Sequence, residues 1–344
     1  MRTLLLIITV LICQFSIAQE VVEIPFKHID NDYINLVKTI QDIDNSGSKN
    51  SINIKESEFE KFNDLDTRHL VFWELSFHYA DFEEYEKCFE VLKKGQSEGM
   101  FFAFSKDLSW PSYLKELKEF NEYQSFVEQN ETLKKETEST VNTEFMIQLP
   151  ESYDENKNYP LLLLMHGGSG SIPDMQYSYR SQKLKTDFIV AYFQGSTVNG
   201  SYTRSFSRTG WANQIISGFQ KIISKYSVDT SKVILAGQSA GAYRAIYLGL
   251  ENKISAKGFL LNFPVIPRNI SNQKYLDFKE RDLKVVQLCG ENDRRIQQQK
   301  EFAYWLDRYM IKNRFIVFPE KGHGYPANFQ HHLETSIEFL LKED

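Results

Sequence analysis

Cysteine is scarce: the 344 residues hold three, at positions 13, 88 and 289. That excludes a fold stapled by disulfides. The seven histidines show no metal-ligand spacing with them, so no metal is expected. Cys88 and Cys289 fall in what read as different units and are expected as buried thiols that pack like small apolar side chains. Positive charge is also short. Forty Lys and Arg against 46 Asp and Glu leave a net charge of −6. A nucleic-acid or anionic-membrane role has no electrostatic support. Long apolar runs are missing as well. The run at residues 4–13 is too short to span a bilayer.

That run has another reading. Arg2 precedes it, and Ser16, Ile17 and Ala18 follow with small residues at the cleavage positions. Residues 1–18 therefore read as a secretory signal, and the protein is expected to be secreted or periplasmic. Cys13 raises the question of a lipid anchor, but Ile12 stands where a small residue is required. Loss of Arg2 with the leader makes the mature chain one unit more negative.

What the chain does have is the mix of a soluble globular protein: 42% hydrophobic and 25% charged residues. Its length allows one large α/β domain and a smaller one. Twenty-six Phe and 18 Tyr suggest well-filled cores and an aromatic-lined cleft.

Residues 19–136 show helical spacing and little strand signal. Leu70, Trp73, Phe77 and Ala80 share one helical face, and Phe82, Tyr85, Phe89 and Leu92 repeat the arrangement. Gly95 and Gly99 close the second helix. The pair resembles a tetratricopeptide-type hairpin, and a protein partner there is one open reading. Further short helices are expected around residues 110–120. The polar stretch 130–140 reads as a helix end and a linker, which sets the boundary between an all-α unit at 19–136 and a second domain at 137–344.

Beyond the linker, apolar runs alternate with helical segments. Strands are expected at 143–149, 161–165, 188–193, 232–236, 258–263, 284–289 and 314–318. Helices are expected at 211–225, 240–250, 297–311 and 326–341. The continuous apolar runs are those of buried parallel strands, so the class is α/β: a mostly parallel sheet with helices on both faces. Ligands bind such sheets at the carboxyl ends of the strands.

The most informative stretch is 232–243. A β-branched run ends in Gly237, Gln238, Ser239, Ala240 and Gly241 and continues as an alanine-rich helix. Strand, sharp turn and helix form a nucleophile elbow. A serine hydroxyl is a weak nucleophile and has to be presented to a base on one side and to substrate on the other. The tight turn brings neighbouring backbone close, which explains small residues two before and two after the serine. The N–H of Ala240, at the start of the helix, is free to bind an oxyanion. Other strand ends carry matching chemistry. His166, Gly167, Gly168, Ser169 and Gly170 follow the strand at 161–165, and the N–H of Gly168 is assigned as the second oxyanion donor. His166 itself is expected to be structural. Asp293, with Glu291 in reserve, follows the strand at 284–289 and can orient a histidine. His323, flanked by Gly322 and Gly324, follows the last strand. His331 and His332 fall within the last helix and are poorer candidates.

The order serine, acid, histidine is that of α/β hydrolases. On residues 159–168, 228–241, 290–293 and 322–323, the chain from about 143 onward resembles the phospholipase/carboxylesterase and feruloyl-esterase-like groups of that superfamily. The resemblance implies an α/β-hydrolase fold with Ser239 as nucleophile, Asp293 as acid and His323 as base. Such chemistry needs no cofactor, and the substrate is expected to be an ester, either of a small molecule or, consistent with secretion, linked to a polysaccharide. Gln238 departs from the aromatic or histidine common in bacterial esterases. Trp211, Gln238 and Tyr243, with Arg204 and Arg208, are weaker candidates for substrate contact. Two alternatives stay open: a serine peptidase of the prolyl-oligopeptidase type, and a helical binding module on an inactive hydrolase scaffold.

Overall fold

The computed structural model describes residues 20–46, 62, 64–103, 114–206 and 209–343. The signal segment with Cys13, Arg208 and most of the stretch around Trp110 lie outside the described residues. The chain opens with β1 (Val21–Ile24), α1 (Asn31–Ser46), α2 (Leu65–Asp81), α3 (Tyr85–Ser97), α4 (Leu114–Leu117) and α5 (Tyr123–Glu138). Next come β2 (Thr143–Gln148), β3 (Tyr159–Met165), α6 (Ile172–Ser178), α7 (Gln182–Asp187), β4 (Ile189–Gln194), β5 (Thr197–Val198), β6 (Arg204–Ser205) and α8 (Trp211–Lys225). The remainder is β7 (Val228–Gln238), α9 (Ala240–Leu250), β8 (Gly258–Asn262), α10 (Asn272–Glu280), β9 (Lys284–Gly290), α11 (Ile296–Arg308), β10 (Asn313–Phe318) and α12 (Phe329–Leu341).

Eight strands form one sheet in the order β1-β2-β4-β3-β7-β8-β9-β10. Six of them run parallel, from β4 to β10, while β2 pairs with β4 antiparallel and β1 follows β2. Leu161 to Met165 in β3 are all fully buried because both faces of the sheet are covered. Alternate residues separate the two layers. Leu161, Leu163 and Met165 pack with Ile215 of α8, Ala245 of α9 and Phe302 of α11. Leu162 and Leu164 pack with Met175 of α6 and Leu333 and Ile337 of α12. This is the α/β-hydrolase fold.

Two expectations for residues 19–136 need revision. Val21–Ile24 is a strand, joined to β2 at the sheet edge from Val21↔Thr143 to Ile24↔Met146. Lys221 Nζ donates to Val21 O at 2.6 Å, and Lys225 pairs with Glu23, so lysines cover this edge. Second, α2 and α3 do pack as a hairpin, but α2 is rotated from the expected face. Val71, Phe72 and Leu75 are buried to 1% or less, while Leu70, Trp73 and Phe77 are only partly covered. The reason is a second partner. His69, on the same side as Phe72, is buried where the helices meet the β5–β6 hairpin: its Nε2–H donates to Phe101 O and its ring stacks on Tyr202.

Candidate active site

Ser239 links the end of β7 to the start of α9 with φ 51° and ψ −116°. That backbone region costs a non-glycine residue about 1–3 kcal/mol and persists only where the surroundings impose it. They do so here through two hydrogen bonds: Ser239 N–H donates to Asn262 O at 2.9 Å, and Val265 N–H donates to Ser239 O at 3.1 Å. The flanking glycines are obligatory. A Cβ on Gly237 would stand 2.5 Å from the carbonyl carbon of Gly241, and one on Gly241 would stand 2.0 Å from Met165 O. The small residues inferred around the serine are thus explained by contact with backbone that has no room to move.

The acid and histidine loops are tied together by backbone. Glu291 N–H donates to Phe318 O at 2.9 Å and Asn292 N–H to Lys321 O at 2.8 Å. A Cβ on Gly290 would reach within 2.2 Å of Gly322 O. This seam fixes the separation of Asp293 and His323. His323 Nδ1 lies 2.8 Å from Asp293 Oδ2, and its Nε2 lies 2.9 Å from Ser239 Oγ. The Phe263 ring, on a residue with φ 36°, meets the imidazole edge-on at 4.7 Å.

Asp293 has no exposed side-chain surface. Burial pushes its carboxyl up, but hydrogen bonds from Arg295 N–H, His323 and Gln299, together with the attraction of the imidazole whenever it is protonated, outweigh it, so the net shift is downward. The ionised carboxylate only accepts, which requires the proton on His323 Nδ1 and leaves Nε2 as acceptor toward the serine hydroxyl. Gln299 is fully buried. Its Nε2–H group donates to Asp293 Oδ2 and to Pro264 O, both at 3.1 Å. It was not foreseen, although a signal existed: Gln299 shares the apolar face of α11 with the buried Phe302, Ala303 and Leu306. Glu291, the reserve acid, is exposed and its carboxylate accepts from Glu320 N–H at 3.1 Å.

The glycine loop after β3 is held from below by His166, which is fully buried. Gly195 N–H donates to His166 Nε2 at 3.1 Å, so Nδ1 carries the proton and donates to Gly167 O at 2.8 Å. Burial lowers the pKa of this imidazole to about 4, which keeps it neutral and structural. Gly167 is the glycine packed on the elbow, its Cβ position 3.7 Å from Ser239 Cβ. Gly168 is exposed, with open space at its Cβ position, and its carbonyl accepts from Asn199 Nδ2–H at 3.1 Å.

The weaker candidates are engaged with the protein itself. Gln238 Oε1 accepts from the buried hydroxyl of Tyr325. Trp211 packs edge-on against Tyr247 at 5.3 Å, with the Arg244 guanidinium 5.3 Å from its ring. Tyr243 is half-buried on α9, and its N–H donates to Ser239 O at 3.3 Å. Arg204 is paired with Glu144 at 3.0 Å. A cavity of about 320 Å³, lined in part by Arg204 and Glu144, lies between α1, β2 and the β5–β6 hairpin, apart from Ser239, Asp293 and His323. Among the described residues no three metal-ligating side chains converge, and no helix is long and apolar enough to cross a membrane.

Solved structures are similar at low identity. An uncharacterized protein from Bacillus cereus ATCC 10987 is 21% identical over 90% of this chain and 98% of its own, with a TM-score of 0.51. Esterase 2 of Thermogutta terrifontis is 17% identical over 58% of this chain and 90% of its own, at a TM-score of 0.46. An S-formylglutathione hydrolase (FrmB) from Staphylococcus aureus is 14% identical over 54% and 82%, at 0.40. No protein-family model and no curated protein matches the sequence.

Proposed function

We propose that the protein is a serine hydrolase that cleaves carboxylic esters through an acyl-enzyme. One observation carries the reading: a single imidazole bonded on one nitrogen to a buried carboxylate and on the other to a serine hydroxyl on a strained turn. His323 Nε2 takes the proton as Ser239 Oγ attacks the ester carbonyl. Asp293 keeps the imidazole in the required tautomer and stabilises the imidazolium that forms. The oxyanion is bound by the N–H of Ala240 and the N–H of Gly168, each worth about 3 kcal/mol in the transition state. His323 then protonates the departing alcohol. A water molecule, deprotonated by the same nitrogen, releases the acid and regenerates the serine.

Ester specificity, as opposed to amide, and a small-molecule or polysaccharide-linked substrate belong to this proposal, as does export directed by residues 1–18. The test is hydrolysis of a short-chain aryl ester beside the matching peptide anilide by the mature protein. Ser239→Ala is expected to lower turnover by a factor of about 10⁴ or more without changing the circular dichroism spectrum. Wild-type rates in that variant would refute the assignment. Faster cleavage of the anilide would move the protein to the peptidases.

A further inference from the structure

The glycine loop beside Ser239 hangs from the segment 195–206, which contains the β5–β6 hairpin. Gly170 N–H donates to Arg204 O at 3.0 Å, and Arg204 N–H donates back to Gly170 O at 2.9 Å. Gly195 holds His166, and Asn199 holds Gly168 O. Gly195 also lies so close to the returning strand that a Cβ would stand 2.2 Å from Ser205 O. The loop cannot shift without the hairpin.

The hairpin tip, in turn, rests on the helices. Ser201 N–H donates to Phe101 O at 2.9 Å, and Phe101 N–H donates to Ser201 Oγ at 2.8 Å. His69 Nε2–H from α2 donates to the same Phe101 carbonyl at 3.1 Å. Asn130 of α5 fixes the neighbouring backbone by accepting from Phe102 N–H at 2.8 Å and donating to Phe102 O at 3.2 Å. At the tip, a Cβ on Gly200 would be 3.1 Å from Ala103 N. Tyr202 reaches Tyr33 of α1 and Asp174 of α6 through its buried hydroxyl.

We propose that the N-terminal helical unit is a brace for the oxyanion-binding loop, acting through this hairpin, and that Asn199 is the positioning residue at the point of contact. This rests on the reading of Ser239 and the glycine loop as catalytic machinery. Asn199 fits the task because its amide hydrogen bonds the loop while its Oδ1 accepts from Ser205 Oγ–H at 3.3 Å and its N–H donates to Thr203 O at 3.0 Å. The peptide that carries the Gly168 N–H is held at its Gly167 carbonyl by His166, itself bonded to Gly195, and the next peptide is held at Gly168 O by Asn199, so the braced segment fixes both sides of that N–H and with it the fit to the transition state rather than to the substrate.

The experiment compares wild type, Asn199→Ala, Ser201→Ala and Ser239→Ala by steady-state aryl-ester kinetics and by hydrogen–deuterium exchange of the peptide spanning 166–170. Asn199→Ala and Ser201→Ala are expected to speed exchange in that peptide and to lower kcat roughly 10- to 100-fold with KM within about twofold, the signature of a displaced transition-state contact. A folded Asn199→Ala with wild-type kcat and unchanged loop exchange would overturn the proposal. Ser201→Ala guards against a purely local effect, since its lost bond lies at the far end of the hairpin. Ser239→Ala is read separately: it should abolish turnover and leave loop exchange unchanged. Turnover in that variant would refute the catalytic reading, while the exchange results would still decide whether the brace exists.

Discussion

Replacing Asp293 by asparagine tests the electrostatic logic of the site, because the three partners of the carboxylate leave the amide no good orientation. Oδ1 accepts from Arg295 N–H at 2.9 Å, and Oδ2 accepts from Gln299 Nε2–H and from His323. An amide with its oxygen toward Arg295 turns its NH₂ group toward two donors. His323 can then meet it only by giving up the proton on Nδ1. That tautomer carries its proton on Nε2 and faces Ser239 Oγ as a donor, so the base is lost. The reverse orientation sets an NH₂ group against Arg295 N–H at hydrogen-bond distance. Asp293→Asn should therefore lower kcat by about 10⁴, equivalent to about 5 kcal/mol of transition-state stabilisation. KM should move little, since the carboxylate is buried behind the histidine. The assay is kcat and KM for an aryl acetate between pH 5 and 9, with a thermal melt on the same samples. Glu291→Gln is the control and should keep wild-type kinetics, because that carboxylate points to Glu320 and not to the histidine. Asp293→Asn retaining more than about a tenth of wild-type kcat would refute the reasoning.

Other expectations follow from the same contacts. Gly241→Ala should cost about 3 kcal/mol or more, or prevent folding, because its Cβ would strike backbone at 2.0 Å, whereas Gly168→Ala, with nothing within 4 Å, should melt like wild type. Asp66, at the junction of α2 with the sheet domain, has its pKa raised from 3.8 to about 6, first by burial and then by Asp64. The folded carboxyl therefore holds its proton to higher pH than the unfolded one, and stability should fall as pH rises from about 4 to 6. Asp66→Asn should remove that slope and raise stability at pH 7.5 by about 1–2 kcal/mol after allowance for partial exposure, as measured by urea unfolding. Burial pushes the Cys88 thiol up to about 12 and raises Cys289 as well. Neither should react with Ellman's reagent in the native state, and both should react in denaturant.

The sheet was legible in the sequence because its central strands are continuous apolar runs between helices of regular period. Leu161 to Met165 is one such run, and α8 at Trp211–Lys225 coincides with the helix expected there. The elbow was legible because its glycines answer to sterics that few folds impose. What stayed hidden depends on partners distant in sequence. Four residues at Val21–Ile24 carry too little pattern to declare a strand, and their pairing with β2 spans more than a hundred residues. The β5 and β6 strands are two residues each and exist through contacts with Gly170 and Phe101. In sequence Gln299 is one more polar residue on a helix; its role depends on Asp293, which only the fold brings beside it. The rotation of α2 has the same origin, since hydrophobic spacing alone cannot say that a histidine will be buried against a neighbouring unit.

The most direct measurement is the site of covalent reaction. Wild type, Ser239→Ala and His323→Ala would be treated with a fluorophosphonate, digested, and the modified peptide sequenced by mass spectrometry. The expected result is one adduct, on Ser239, formed quickly in wild type, absent in Ser239→Ala and strongly slowed in His323→Ala. A folded wild-type protein that takes no label at Ser239, or takes it equally fast without the imidazole, would contradict the claim that these side chains work as one catalytic unit.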